Sequence, residues 1–158
     1  MCGRGALKRA VADWKNHGYT AKVGLEIEAY AFVRDADGKL QPYDTPHSYV
    51  YSTGPFADPR GFVDAIWNQA EKSGFKLESV TTEYDTPQFE FTLKYTDALT
   101  AVDDHFLFRL MAREIALQHG ILLTCLPKPF PGKGGSGTHV NFSFTGKTGK
   151  NAIGDPGE

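Results

Sequence analysis

Apolar positions along this chain alternate between two rhythms, and the points where the rhythm changes mark the elements. Leu7, Ala10, Val11 and Trp14 recur at helical spacing, which predicts a helix from about Arg4 to His17 with Gly18 as its stop. In Lys22–Phe32, KVGLEIEAYAF, the apolar Val23, Leu25, Ile27 and Ala29 alternate with Gly24, Glu26 and Glu28, the pattern of a strand. The segment RDADGKL carries Asp37-Gly38, a hairpin turn signal. Residues 45–59 read as a turn-rich loop. Asp58-Pro59 reads as an N-cap followed by proline at the first helical position. The helix it opens carries Phe62, Ile66 and Ala70 on one face and ends at Gly74. FKLESVTTEY and QFEFTL read as two strands around a turn at Asp85–Pro87. Thr96 or Asp97 caps a longer helix running to His119, closed by Gly120. ILLTCL reads as a buried strand, PKPFPGKGGSG as a loop, THVNFSF as an alternating last strand, and the remaining tail is polar and glycine-rich. Strands in pairs with helices between them predict an α+β fold: a largely antiparallel sheet with flanking helices. At 158 residues the chain has the length of one domain with one core.

The polar residues inside those strands carry the candidate chemistry. Alternation turns Glu26 and Glu28 to one face, ~6.5–7 Å apart, and Leu25 and Ile27 to the other. TTEYDTPQFEF places Glu83 and Glu90 on adjacent strands across a tight turn, where a hairpin can set them opposite each other. SGTHVNFSF lines up His139, Asn141 and Ser143 at period two. One Glu-x-Glu on a strand is ordinarily a solvated sheet face, a lone histidine is ordinarily structural, and the phenylalanines of QFEF are ordinarily core. The coincidence of two acidic strand segments, a strand histidine and a glycine-rich loop points further. Carboxylates with one imidazole suit a hard cation, Mg²⁺ or Mn²⁺, better than Zn²⁺, because no thiolates converge. Four glutamates can neutralise two divalent ions, and a pair of ions is a device for phosphoryl transfer.

The loop GKGGSG, Gly132 to Gly137, matches G-x-G-x-x-G, yet it leads into a strand and not a helix. It is therefore no dinucleotide fingerprint, and it lacks the Lys-Ser/Thr ending of a Walker loop. Its glycines read either as a mobile surface loop or as backbone that must approach a ligand closely, with Lys128 supplying positive charge nearby.

Composition adds exclusions. A net charge of -2 and the absence of a basic run argue against nucleic acid as a partner. No apolar run approaches the ~18 residues of a membrane span. The start MCGRGALKRA lacks the apolar stretch of a signal peptide. Two cysteines, Cys2 and Cys125, make no disulfide framework, with Cys125 in an apolar run as a buried thiol, so a reducing, cytoplasmic setting is expected.

Taken in order, GLEIE, EYDTPQFE and KPFPGKGGSGTHVNFS resemble three motifs of the glutamine synthetase catalytic domain, and the resemblance runs from RGALKRAVADW to VNFSF. It implies a funnel lined by antiparallel strands that holds two or more ions of Mg²⁺ or Mn²⁺. By this resemblance Glu28, Glu83 and Glu90 hold the ion on the substrate side, and Glu26 and His139 the ion that bridges the ATP phosphates. Asn141 and Ser143 match positions near the nucleotide, with Lys128 beside them. Gly135 matches a loop glycine that helps hold the amino-acid substrate. The implied reaction is ligation of glutamate and ammonia, in which the γ-carboxylate attacks the γ-phosphate of ATP and ammonia displaces phosphate from the acyl phosphate. Three departures bear on the substrate. Gly134 stands where the family usually has a substrate-contacting asparagine, Thr86-Pro87 where Pro-Gly is usual, and Asn141 where histidine is frequent. They leave open a ligase that joins glutamate to polyamines or other amines. The family's enzymes are longer and assemble as rings, with a small N-terminal β-domain and a C-terminal half that have no counterpart here. The expectation is a partial catalytic domain, inactive by itself, or a non-catalytic metal- or nucleotide-binding remnant.

Overall fold

Strand β1, Thr20–Arg34, is 15 residues long, and that length lets it serve four partners. In the computed structural model, which describes residues 2–45 and 49–154, it forms the axis of one six-stranded sheet. Its first half pairs with β4, Gln88–Asp97, along one edge and with β6, Thr138–Thr145, along the other. Its second half meets β5, Leu122–Thr124, and β2, Leu40–Pro42. β3, Leu77–Thr82, lies outside β4. Every one of these pairs is antiparallel, as the α+β reading expects. The Asp37-Gly38 turn is present: Asp35 Oδ1 accepts from the backbone of Asp37 and Lys39, and Gly38 donates to Asp35 O. The predicted loop 45–59 includes residues 46–48, and the predicted tail includes residues 155–158; both sets lie outside the described residues.

The two faces of the sheet divide by chemistry. Ile27, Ala29 and Ala31 of β1 join Phe89, Phe91 and Leu93 of β4 on the face covered by helices α2, Phe62–Ser73, and α3, Ala98–Gln118. Phe62 meets Phe89 edge-on at 5.0 Å, and Phe91 meets Phe108 at 5.6 Å. Phe62, Ile66 and Phe108 are fully buried, each contributing about 1.5–3 kcal/mol by removal from water. Helix α1, Gly3–Asn16, packs Leu7 and Val11 on a smaller cluster of Val23, Leu25, Ala98 and Ala101. The helices thus close one face and leave the other open.

Three local expectations change. The second helix begins at Phe62, four residues after Asp58, because Gly61 takes a left-handed conformation (φ 69°) and breaks the turn. Asp58 still serves that helix: its Oδ2 accepts from Val63 N at 2.7 Å, and its Oδ1 accepts from Tyr43 OH at 2.8 Å. Asp97, not Thr96, caps α3 by accepting from Thr100 N. ILLTCL is buried only at Ile121 and Leu123, since β5 is three residues long, and the Cys125 thiol is half-buried. Among the described residues no helix is long and apolar enough to cross a membrane.

Candidate metal centre

The open face collects the polar positions of three strands, and the register decides which of them meet. Glu28 stands directly across from Glu90, Glu26 across from His139, and Gly24 across from Asn141. Glu83 is not opposite Glu90, as the hairpin pattern led one to expect. Thr81 holds that place, and Glu83 lies just beyond β3 with its N–H on Gln88 O. The offset is two residues, so Glu83 keeps the same face. Its carboxylate still reaches Glu90.

Two trios result. Glu28, Glu83 and Glu90 each offer one oxygen within 4.8 Å of the others, and Glu26, Glu90 and His139 do the same. Glu90 belongs to both. The imidazole sits between the two Glu-x-Glu residues, with Nδ1 3.1 Å from Glu26 Oε2 and 3.5 Å from Glu28 Oε1. Among the described residues no lysine or arginine forms an ion pair with any of the four glutamates. Burial, then the neighbouring Glu26, Glu83 and Glu28, push the Glu90 carboxyl above the usual carboxylate range, with His139 pulling the other way. An acidic cluster with a single imidazole for compensation fits divalent cations bound through oxygen.

The first coordination groups are themselves held. Asn141 Nδ2 donates to Glu26 Oε1 at 2.8 Å. Glu28 is buried, and its Oε2 accepts from Gln88 Nε2 and from Gly137 N, both at 2.9 Å. The loop Pro127–Gly137 lies across this region as a strap. Gly134 N donates to Asp85 Oδ2, Tyr30 OH donates to Gly134 O at 2.9 Å, and Gln88 Nε2 reaches Gly135 O at 3.1 Å. The glycines are required by proximity: a Cβ at Gly137 would lie 2.8 Å from His139 Nε2 and 2.9 Å from Glu28 Oε1, and one at Gly135 2.9 Å from Pro127 O. Tyr30 is fully buried beside Asp85, Glu28 and Glu83. Burial foremost, then those charges, lift its hydroxyl to about 12, so it stays a neutral donor.

Of the residues singled out in the sequence, Glu26, Glu28, Glu83, Glu90 and His139 come together, Asn141 touches Glu26, and Gly134 and Gly135 lie in the strap beside Glu28. Ser143 stands across from Lys22, in an open groove shared with Glu26, Thr92, Tyr95 and Asn141. The Lys128 ammonium donates to the carbonyl of Lys133 within its own loop. Lys133, which the motif reading passed over, places its ammonium on Thr86 O at the hairpin turn and over the Phe130 ring at 5.6 Å. Gln88, Asp85 and Tyr30 were also missed. The available signal was period two, which puts Gln88 on the face of Glu90 and Tyr30 on the face of Glu28.

The whole of residues 1–158 matches the family model described as glutamine synthetase, catalytic domain. A glutamine synthetase of Clostridium saccharobutylicum is 37% identical over 96% of this chain, which covers 34% of that protein. A glutamate–methylamine ligase of Methyloversatilis universalis is 30% identical over 89% of this chain and 32% of its own length. Among solved structures, one described as a GmaS/ADP complex superimposes with a TM-score of 0.83 at 28% identity, covering 98% of this chain and 36% of that one. The chain therefore spans about a third of the length of the relatives it matches. Sequence, sheet topology and motif order agree: the chain belongs to the glutamine synthetase catalytic-domain family.

Proposed function

We propose that these residues form the cation-binding wall of an ATP-dependent ligase that joins glutamate to ammonia or another amine. The observation that carries the reading is the pair of trios on the open sheet face, Glu28–Glu83–Glu90 and Glu26–Glu90–His139, with Glu90 shared. In this reading the first trio holds an Mg²⁺ or Mn²⁺ ion toward the amino acid, and the second holds one toward the phosphates of ATP. Bound there, such ions neutralise charge between two anionic reactants, a carboxylate and a phosphoryl group, that otherwise repel.

The chain's own residues do the positioning. Asn141 orients Glu26, and Gln88 with the Gly137 amide orients Glu28. The groove beside Asn141 and Ser143 lies next to the second trio, where a nucleotide would approach. The strap at Gly134 and Gly135 borders the first trio, where the amino acid would lie. ATP, glutamate and the amine are the partners this reading assigns, with ring-shaped homo-oligomers as the assembly. Free Cys2 and Cys125 fit a reducing compartment, and we take the cytoplasm as the setting.

A second amine deserves a place beside ammonia for one structural reason. At Gly134 an added Cβ would meet Asp85 Oδ2 at 3.0 Å, so the Asp85 carboxylate, the end of a flexible side chain, would have to give way for the family's asparagine to stand there. The relatives include a glutamate–methylamine ligase at 30% identity beside glutamine synthetases at up to 37%.

The test is calorimetric titration of the chain with Mn²⁺, alongside Glu28→Gln and Glu26→Gln. Saturable binding that each substitution weakens supports the reading. Heats indistinguishable from buffer, at Mn²⁺ up to the millimolar range, would remove it.

A further inference from the structure

Gln88 is 2% exposed and sits where β4 leaves the hairpin turn, on the same face as Glu90 and across from Tyr30. A buried glutamine amide on a sheet face needs partners, and the two hydrogens of this one serve Glu28 Oε2 at 2.9 Å and Gly135 O at 3.1 Å, with Ser136 Oγ sharing one of them at 3.4 Å. The Gly137 N–H donates to the same Glu28 oxygen at 2.9 Å, while Glu28 N donates to Gly137 O at 3.2 Å. One carboxylate oxygen of Glu28 therefore carries two protein donors. Among the described residues the other, Oε1, has no such donor; it faces His139 Nδ1 at 3.5 Å.

We propose that Gln88 is a positioning residue: it commits one oxygen of Glu28 to the protein, turns the other to the cation, and locks the Gly134–Gly137 strap to that same carboxylate. The proposal rests on the cation-binding reading given above. Its physical content is asymmetry. A carboxylate free to rotate can bind a cation through either oxygen or both. With Oε2 already holding two N–H groups, only Oε1 remains, and the conformational freedom that cation binding would otherwise remove is removed in the folded protein beforehand. The second consequence is coupling. The strap and Glu28 share Gln88 as hydrogen-bond partner, so a shift of one moves the other. The side that borders the amino acid is thereby tied to the side that holds the ion. The arrangement accounts for the glycines too: Gly137 must let its backbone reach a carboxylate, and a Cβ there would strike both Glu28 and His139.

The experiment compares the wild-type chain with Gln88→Met, which keeps length and apolar bulk but has no amide. Two quantities are read: Mn²⁺ affinity, from free Mn²⁺ by electron paramagnetic resonance, and amide hydrogen exchange at Ser136 and Gly137 in the metal-free protein. Phe108→Leu, a core change in α3 on the helix-covered face of the sheet, serves as the control for general destabilisation. The expected result is a loss of roughly 10–100-fold in Mn²⁺ affinity for Gln88→Met, with faster exchange at Gly137. Phe108→Leu melts lower but keeps both the affinity and the Gly137 protection relative to its global stability. Wild-type affinity in Gln88→Met overturns the proposal, as does an equal affinity loss in Phe108→Leu. Wild-type chain that binds no Mn²⁺ overturns the cation reading instead. In that case the Gly137 exchange still decides whether Gln88 holds the strap, and unchanged protection in Gln88→Met refutes it.

Discussion

Replacing Glu90 with glutamine sets stability against binding, and the structure gives the size of the effect. Glu90 is the carboxylate common to both trios, with Glu26, Glu28 and Glu83 near it and His139 opposing them. Two unit charges 4.8 Å apart repel by about 0.9 kcal/mol in water and about 3.5 kcal/mol at an effective dielectric of about 20. The face is open, and screening over ~8 Å at physiological salt reduces the smaller figure further. Three such neighbours, partly offset by His139, leave roughly 1–2 kcal/mol. Without metal at neutral pH, Glu90→Gln should therefore melt about 2–8 °C higher than the wild type. The sign of the pH dependence follows from the raised carboxyl pKa. Ionising Glu90 costs stability in the folded state, so the penalty is absent below the unfolded value of about 4.3 and grows as pH rises through the higher folded value. The advantage of the variant should vanish at acid pH. With Mn²⁺ the order should reverse. An ion at a hundred times its dissociation constant adds about 2.7 kcal/mol to the wild type, and the variant has lost a ligand from both trios. Differential scanning fluorimetry at pH 7 and at pH 4, with and without Mn²⁺, reads all four conditions. A variant that melts below the wild type in the absence of metal would refute the repulsion argument.

Other expectations follow from neighbouring contacts. Gly137→Ala inserts a Cβ within 3 Å of His139 and Glu28 and should weaken Mn²⁺ binding by about tenfold or more, with a stability cost of about 1–3 kcal/mol, checked by titration and thermal melting. Asp97→Ala removes the α3 cap and should cost about 1 kcal/mol, yet leave Mn²⁺ affinity as it was, since the cap lies outside both trios. The chain alone, assayed for phosphate release from ATP with glutamate and hydroxylamine, should turn over far below about 1 per second. Phosphoryl transfer needs cationic side chains on the γ-phosphate besides the metals, and among the described residues no lysine or arginine forms an ion pair with the glutamates of either trio.

Alternation alone made much of this site legible. Period two fixes that Glu26 and Glu28 share a face, and likewise His139, Asn141 and Ser143, and no tertiary information is needed for either statement. What alternation cannot give is register. That Glu28 meets Glu90 and Glu26 meets His139, 113 residues apart, depends on how strands distant in sequence slide along β1. The Glu83–Glu90 expectation failed by two residues for that reason, and survived in effect because two residues is a whole period. Helix α2 began late because a left-handed Gly61 outweighs the Asp58-Pro59 signal. The bond of the Lys128 ammonium to the Lys133 carbonyl was not legible, because no spacing rule reports which partner a flexible side chain in a glycine-rich loop takes. Gln88 escaped notice because an amide carries no charge to mark it. Only its burial beside a carboxylate reveals a role.

The central claim is that the open face holds two cations that share Glu90. Anomalous diffraction from crystals of the chain grown with Mn²⁺ tests it most directly. The account predicts two manganese peaks on the open face, one among Glu28, Glu83 and Glu90 and one among Glu26, Glu90 and His139. Manganese bound only at other surface carboxylates, with no peak within coordination distance of Glu90, would contradict it.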